Sequence, residues 1–469
     1  MTHSSNKYIL VVVAATLLSA CSITKKYERP SAISTDKLYR DQNATDSTTM
    51  ASMPWQTVFK DEKLNALIQK GLDQNLNLKN AIENIVQSRA TLRQAKLAYY
   101  PTLNFDASAT HNKQSKAGLN FPPGININTL TTTYKLGLST SWELDIWGKL
   151  SSSKRAALAA YLATDAAKQA IQTQLIADIA NNYFLLLAYD KQLEITKATL
   201  ESRIKNVETI KALKEGAIVT GAAVVQSEAN QHAAEVLIPD LKRSIRETEN
   251  ALNILLGQAP GTIERGTLGN QTVPENLAVG MPAQLLENRP DVRQAEFNFR
   301  TAFESTNMAK TYFYPSLTLT ASGGFSNLEL KDFFTNSIFY SIIGGLTQPI
   351  FNQGKNKLRL TTAQSQQLQA YNNFQQSLLV AGQEVSNALY SYEMAVAKED
   401  SRAKQIAALE KAVDFTQELL EYSSATNYTD VLTSEQSLLQ AQLNGVNDKL
   451  QKLQAIVNLY RALGGGWKE

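Results

Sequence analysis

A single cysteine, Cys21, stands in 469 residues, so no disulfide framework can form within the chain. No apolar run reaches the roughly 18 residues that a membrane-spanning helix needs. Net charge is only +3 and no basic block is present, which removes nucleic acid as a partner. The three histidines, His3, His111 and His232, stand far from one another and none adjoins Cys21. Neither a metal cluster nor a nucleophile–base pair can be assembled from them. The stretch "NQGKNK" (352–357) lacks the Ser/Thr and upstream Gly of a phosphate loop, and "LGGGW" (463–467) ends a helix in a flexible tail. The sequence therefore predicts no catalytic residues, no metal and no cofactor. Proline is scarce between residues 150 and 238, while Gln, Asn, Ser, Thr and Ala abound. That composition argues against an ordinary globule, although the length would suffice for two or three domains.

What is present begins with an address. "NKYILVVVAATLLSAC" (6–21) offers one lysine, an apolar run from Ile9 to Leu18 and small residues before Cys21. This reads as a secretory signal over 1–20, too short to span a bilayer stably. Leu18-Ser19-Ala20-Cys21 resembles a bacterial lipoprotein box, which makes Cys21 the acylated N-terminus and membrane anchor. Ser22 after it points to the outer membrane.

Compared with itself, the chain is two copies of one unit. "LKNAIENI…AYYPTL" (78–103) aligns with "VRQAEFNF…YFYPSL" (292–317) at an offset of 214, pairing Ala81 with Ala295 and Pro101 with Pro315. Farther along the offset is 207, where "VVQSEA" (224–229) meets "VLTSEQ" (431–436). An N-terminal extended segment (21–60) precedes the first repeat (61–257). A Pro/Gly-rich linker (258–290) leads to the second repeat (291–464), and residues 465–469 form a tail. Each copy reads helix, two strands, very long helix, helix. Helical periodicity runs from about Asp61 to Tyr99 and from Ser151 to about Glu215. Ile179, Leu186, Leu193, Leu200 and Val207 then stand seven apart, a spacing that predicts left-handed supercoiling. Leu439, Leu443, Val446, Leu450, Leu453, Val457 and Tyr460 continue the pattern near the C-terminus. A second helix, about 222–256, contains Pro239, which should bend it.

Strands are expected at about 102–112, 133–145, 316–326 and 338–350. Tyr134, Leu136, Leu138, Thr140, Trp142 and Leu144 alternate with more polar neighbours, as do Leu103, Phe105, Ala107 and Ala109. Length and alternation suit the wall of a transmembrane β-barrel. A half-buried soluble sheet fits the same pattern. Four strands cannot close a barrel in lipid, so the barrel reading requires an oligomer.

Several segments resemble one family. "YERP" (27–30), "WQTVFKDEKLNALIQKGLDQNLNLKNA" (55–81), "WELDIWGK" (142–149) and above all "RPDVRQAE" (289–296) are similar to markers of the TolC/OprM-like outer-membrane efflux ducts, in their NodT-type lipoprotein branch. The resemblance implies a mixed α and β membrane protein, a homotrimer with a twelve-stranded β-barrel continuing into a periplasmic α-helical barrel. It implies a passive exit duct for small molecules such as drugs. Its partners would be a periplasmic adaptor (membrane fusion) protein, an inner-membrane resistance-nodulation-division transporter and outer-membrane lipid. Two other readings stay open: a type I secretion duct, and a lipid-anchored periplasmic coiled-coil scaffold without a pore.

The same resemblance makes "SSATNYTDVLTSEQSLLQAQ" (423–442) a periplasmic tip, with "VTGAAVVQSEANQHAAEV" (219–236) as its counterpart. Asp430, Tyr422, Tyr428 and Thr433 are the candidate gate residues. Gly216, Gly221, Ala425 and Asn427 mark the hairpin tips expected to dock the adaptor. Where family members often carry Gly and Asp, this chain has Ala425 and Thr433, and its acid, Asp430, comes three residues earlier. Asp430 would also suit the positive end of a helix dipole. Its first-copy partner is Ala223, so a trimeric ring would hold three acids. Glu228 and Glu435 occupy equivalent places and read as surface or inter-helix charges.

Overall fold

The computed structural model describes residues 23–30, 35, 38–40, 47–118, 128–272, 277–422 and 428–468. The major elements in order are α1 (Glu62–Gln74), α2 (Leu76–Leu97), β1 (Thr102–Lys113), β2 (Leu130–Leu144), α3 (Lys149–Glu215), α4 (Gly221–Leu255), α5 (Pro290–Thr311), β3 (Ser316–Asn327), β4 (Ile338–Thr347), α6 (Lys355–Tyr422) and α7 (Tyr428–Ala462). Among the described residues no helix is long and apolar enough to cross a membrane. The chain divides into two compact units.

One unit comprises Met1–Pro30, Ile85–Ala163 and Glu296–Asn373. It holds an antiparallel sheet in the order β1-β2-β3-β4. Thr102 faces Ser141 at one end of the β1–β2 ladder and Lys113 faces Leu130 at the other. The β2–β3 ladder runs from Leu144↔Leu317 to Tyr134↔Asn327, and β3–β4 from Ser316↔Thr347 to Phe325↔Ile338. Period-two alternation puts Leu103 and Phe105 on one face of β1, and both are exposed. Tyr340 and Ile342 on β4 are likewise exposed, at 83% and 71%. The outer edges of β1 and β4 carry no strand partner among the described residues.

The motif "WELDIWGK" turns this sheet into α3. Asp145 caps the helix by accepting from the amides of Leu150 and Ser151, both at 2.8 Å. Trp142 Nε1 donates to Tyr99 O at 2.9 Å and Trp147 Nε1 to Pro315 O at 2.7 Å. Gly148 adopts φ +77°, a conformation glycine reaches without a Cβ penalty. "YERP" is tied down in this unit too. Arg29 grips Glu296 with Nε and Nη2 at 2.8 and 2.7 Å. Tyr27 meets Phe299 and Phe303 edge-on, each at 5.7 Å between ring centroids.

The other unit comprises Ser31–Asn84, Thr164–Ala295 and Phe374–Glu469. Its core follows the heptads: Ile179, Leu186 and Val207 of α3 are buried, as are Leu439, Val446, Leu450, Leu453, Val457 and Tyr460 of α7. One expectation needs correction here. The continuous helix from Asp61 to Tyr99 is two helices, because Asn75 (ψ 126°) leaves the helical region. Its Oδ1 then accepts from Leu78 N at 3.0 Å and starts α2 afresh as an N-cap. Asn75 Nδ2 donates to Leu255 O at 2.8 Å, satisfying a carbonyl at the end of α4. Gly257 (φ +66°) lets the chain pass here, since a Cβ would stand 2.6 Å from Gln74 O. Pro239 lies inside α4, which continues through it.

"RPDVRQAE" makes a second such junction. Arg289, 3% exposed, donates from Nη1 to Ala462 O at 3.0 Å and to Glu384 Oε2 at 2.5 Å. Its Nε and Nη2 clamp Asp291 at 2.9 and 2.5 Å. Arg461 reaches the other oxygen of Glu384 at 2.9 Å.

Candidate functional site

Of the expected tip residues, the second unit places Tyr428 in a contact among the ends of four helices. Helix α3 ends at Glu215, and the turn closes with Ile218 N donating to Leu213 O and Ala217 N to Lys214 O, both at 2.9 Å. This is a Schellman closure whose left-handed residue is Ala217 (φ 58°), not the neighbouring Gly216. Thr220 precedes α4 in extended conformation, and Gly221 opens that helix. Both glycines are exposed, and a Cβ at Gly221 would meet nothing within 4 Å.

Tyr428 starts α7 half-buried. With Leu420, Leu213 and Val219 it packs on a small core of Ile210, Ala223 and Val224. Its hydroxyl donates to Gln226 Oε1 at 3.4 Å. The adjoining ends of α3, α4, α6 and α7 thus meet through apolar contacts. Tyr422 lies apart from that core, 81% exposed at the end of α6. Asp430 is exposed in the first turn of α7. Thr433, three residues on and also exposed, donates its hydroxyl to Thr429 O at 2.7 Å. Ala425 and Asn427 lie outside the described residues, as does Cys21.

Charge at this end is arranged unequally. Glu228 on α4 pairs with Lys211 on α3 at 2.8 Å, and that hydrogen bond and charge hold its carboxyl below the usual range. Of the two expected roles, surface or inter-helix charge, Glu435 takes the second. It is 5% exposed, and burial pushes its carboxyl above the usual range against the opposing pull of Arg203. Its Oε1 accepts from Ser202 Oγ (3.3 Å), Gln417 Nε2 (3.1 Å) and Asn206 Nδ2. The four–three spacing run back from Leu439 lands on Gln436, which is exposed. Val431, Glu435 and Leu439 instead stand four apart on one buried face.

Among the described residues no group of three or more His, Cys, Asp or Glu side chains gathers as a metal site requires. With a four-stranded sheet and helices of 67 and 68 residues in place, comparison with known proteins is decisive. The family described as "Outer membrane efflux protein" matches residues 67–258 and 281–465. The chain belongs to that family. It is similar to the solvent efflux pump outer membrane protein SrpC of Pseudomonas putida, 30% identical over 471 residues covering 98% of each chain. It is also similar to the outer membrane lipoprotein SilC, called probable, of Salmonella typhimurium, 29% identical with 98% and 99% covered. Among solved structures, the open state of the Neisseria gonorrhoeae MtrE outer membrane channel superposes with a TM-score of 0.84 at 27% identity, covering 96% and 99%. The outer-membrane channel OprN matches in fold with a TM-score of 0.88, covering 96% and 100% at 23% identity.

Proposed function

We propose that this protein is the passive outer-membrane duct of a tripartite efflux pump, carrying small toxic molecules from periplasm to exterior. Family membership supports the efflux role, and the named relatives are outer-membrane efflux components. One observation carries the architecture. The sheet β1–β4 has two unpartnered edges among the described residues while Leu103, Phe105, Tyr340 and Ile342 are exposed. Open edges cannot persist in hydrocarbon, because each unpaired peptide group costs several kcal/mol. Four strands are too few to close, and three copies supply twelve, an even number within the range of such barrels.

On this reading β1 of one copy pairs with β4 of the next, and the two halves of each chain are copies of one unit. The long helices of the three copies line an α-helical barrel in the periplasm. Cys21 carries the lipid that fastens each copy to the membrane. The turns at Gly216–Gly221 and 423–427 form the mouth, with Gly216, Gly221, Ala425 and Asn427 meeting an adaptor fed by an inner-membrane transporter. Asp430, Tyr422, Tyr428 and Thr433 line the closure, and three Asp430 carboxylates give it a preference for cations. The duct performs no chemistry; the inner-membrane partner supplies the energy. Reconstitution of the full-length protein into planar bilayers tests this directly.

A further inference from the structure

Two turns of helix away from the tip contact, four helices surround a carboxylate with protein. Glu435 sits on α7, and the groups facing it are Ser202, Arg203 and Asn206 on α3 and Gln417 on α6. Behind Arg203 stand Asn230 and Ser227 of α4. Arg203 Nη1 donates to Asn230 O at 2.5 Å, and Ser227 is 2% exposed. Arg203 is the one charged neighbour among these groups, and burial lowers its own pKa while Glu435 raises it. All three donors to Glu435 converge on Oε1. Among the described residues Oε2 has no hydrogen-bond partner, nor have Arg203 Nε and Ser227 Oγ. A full negative charge on Oε2 would be buried without a donor, whereas a proton there removes most of that penalty.

We propose that Glu435 is a proton-dependent latch between α7 and the α3–α6 pair, protonated while the helices are packed and ionised when they part. The inference rests on the duct reading above. Glu435 lies seven residues, roughly 10 Å along the helix, from Tyr428 in the contact between the helix ends. Separation of the helices there would release that contact. The direction follows from the raised pKa. Packing is favoured below the ordinary glutamate range and is lost as pH rises through the packed-state value. The equivalent Glu228, half-buried and paired with Lys211, has no such role. The latch therefore acts on one hairpin of each copy.

The test is conductance of the full-length protein in planar bilayers as the pH on the side facing the tips is raised from about 5 to about 8. Because ionisation favours the parted helices, the wild-type open probability should rise over this interval. Glu435→Gln, which mimics the protonated form, should stay at the low-pH level throughout, while Glu228→Gln should keep the step. Hydrogen exchange of wild-type residues 202–210 and 428–440, corrected for intrinsic rates, should accelerate over the same interval, and this readout needs no variant to fold. A Glu435→Gln channel with the wild-type step, or wild-type exchange and conductance flat with pH, overturns the latch. A folded protein that forms no channel overturns the duct reading, and the latch with it.

Discussion

Asn75 and Arg289 occupy matching places, at the 214-residue offset, and each donates to a carbonyl at the end of a distant helix: Asn75 to Leu255 O at 2.8 Å, Arg289 to Ala462 O at 3.0 Å. The helix ends themselves differ by the 207-residue offset. Both side chains satisfy an orphan carbonyl where one helix stops and another starts. Arg289 does more, because its guanidinium also neutralises Asp291 and Glu384.

That difference sets the cost of removing each. Asn75→Ala deletes an N-cap and should cost about 1 kcal/mol. Arg289→Met strands Asp291 and leaves Glu384 with Arg461 alone. Breaking a fully buried pair costs roughly 3–5 kcal/mol, and the partial exposure of Asp291 and Glu384 reduces this to about 2. Thermal unfolding followed by circular dichroism should show the larger drop for Arg289→Met. Equal drops would mean that the ion pairs contribute nothing.

Acid should weaken the same junction. Burial alone would raise Asp291, but the Arg289 guanidinium overrides it and holds the carboxyl below the usual range. A folded pKa below the unfolded value gives stability that is present above the ordinary aspartate range, near 4, and lost as pH falls through the lowered value. The unfolding temperature should therefore fall below about pH 4, and Asp291→Asn should blunt that fall. An identical pH profile for the variant would exclude Asp291 as a contributor. Glu435 has the opposite sign, so the two effects separate along the pH axis.

At the α3–α4 turn, Ala217 holds a left-handed backbone (φ 58°) that disfavours any Cβ. Ala217→Gly should stabilise the protein by about 0.5–1 kcal/mol, seen as a higher unfolding temperature. A lower temperature would mean that lost entropy outweighs relieved strain.

Much of this was legible in the sequence, and the failures have physical causes. The alternation from Tyr134 to Leu144 falls inside β2, and the heptads of α3 and α7 mark buried seams. The break at Asn75 escaped because periodicity continues across it; only the asparagine's capping chemistry announces it. The left-handed backbone of Ala217 has no signal in the sequence, since alanine rarely adopts it. Glu435 was expected as a surface or inter-helix charge, and nothing in the spacing distinguishes its burial from the partial exposure of Glu228. Motifs such as "WELDIWGK" could be matched as strings, but Asp145 as a cap and the two tryptophans as donors emerge only from coordinates.

Cys21→Ala should abolish lipid attachment, read as the loss of the acyl mass from the mature chain. Lipid still present on the variant would overturn the assignment of Cys21 as the anchor.

Asp430→Ala should lower the cation selectivity of single channels, read as a reversal potential moved toward zero in a salt gradient. Unchanged selectivity and conductance would remove Asp430 from the closure.

The central claim is that three copies of this chain form one continuous duct. The most direct measurement is single-channel recording of the purified full-length protein in planar bilayers, on material whose mass in detergent has been determined. The account predicts a trimer that inserts as one unit with discrete conductance steps. A monodisperse, folded species that is not trimeric, or a trimer that never conducts, would contradict it.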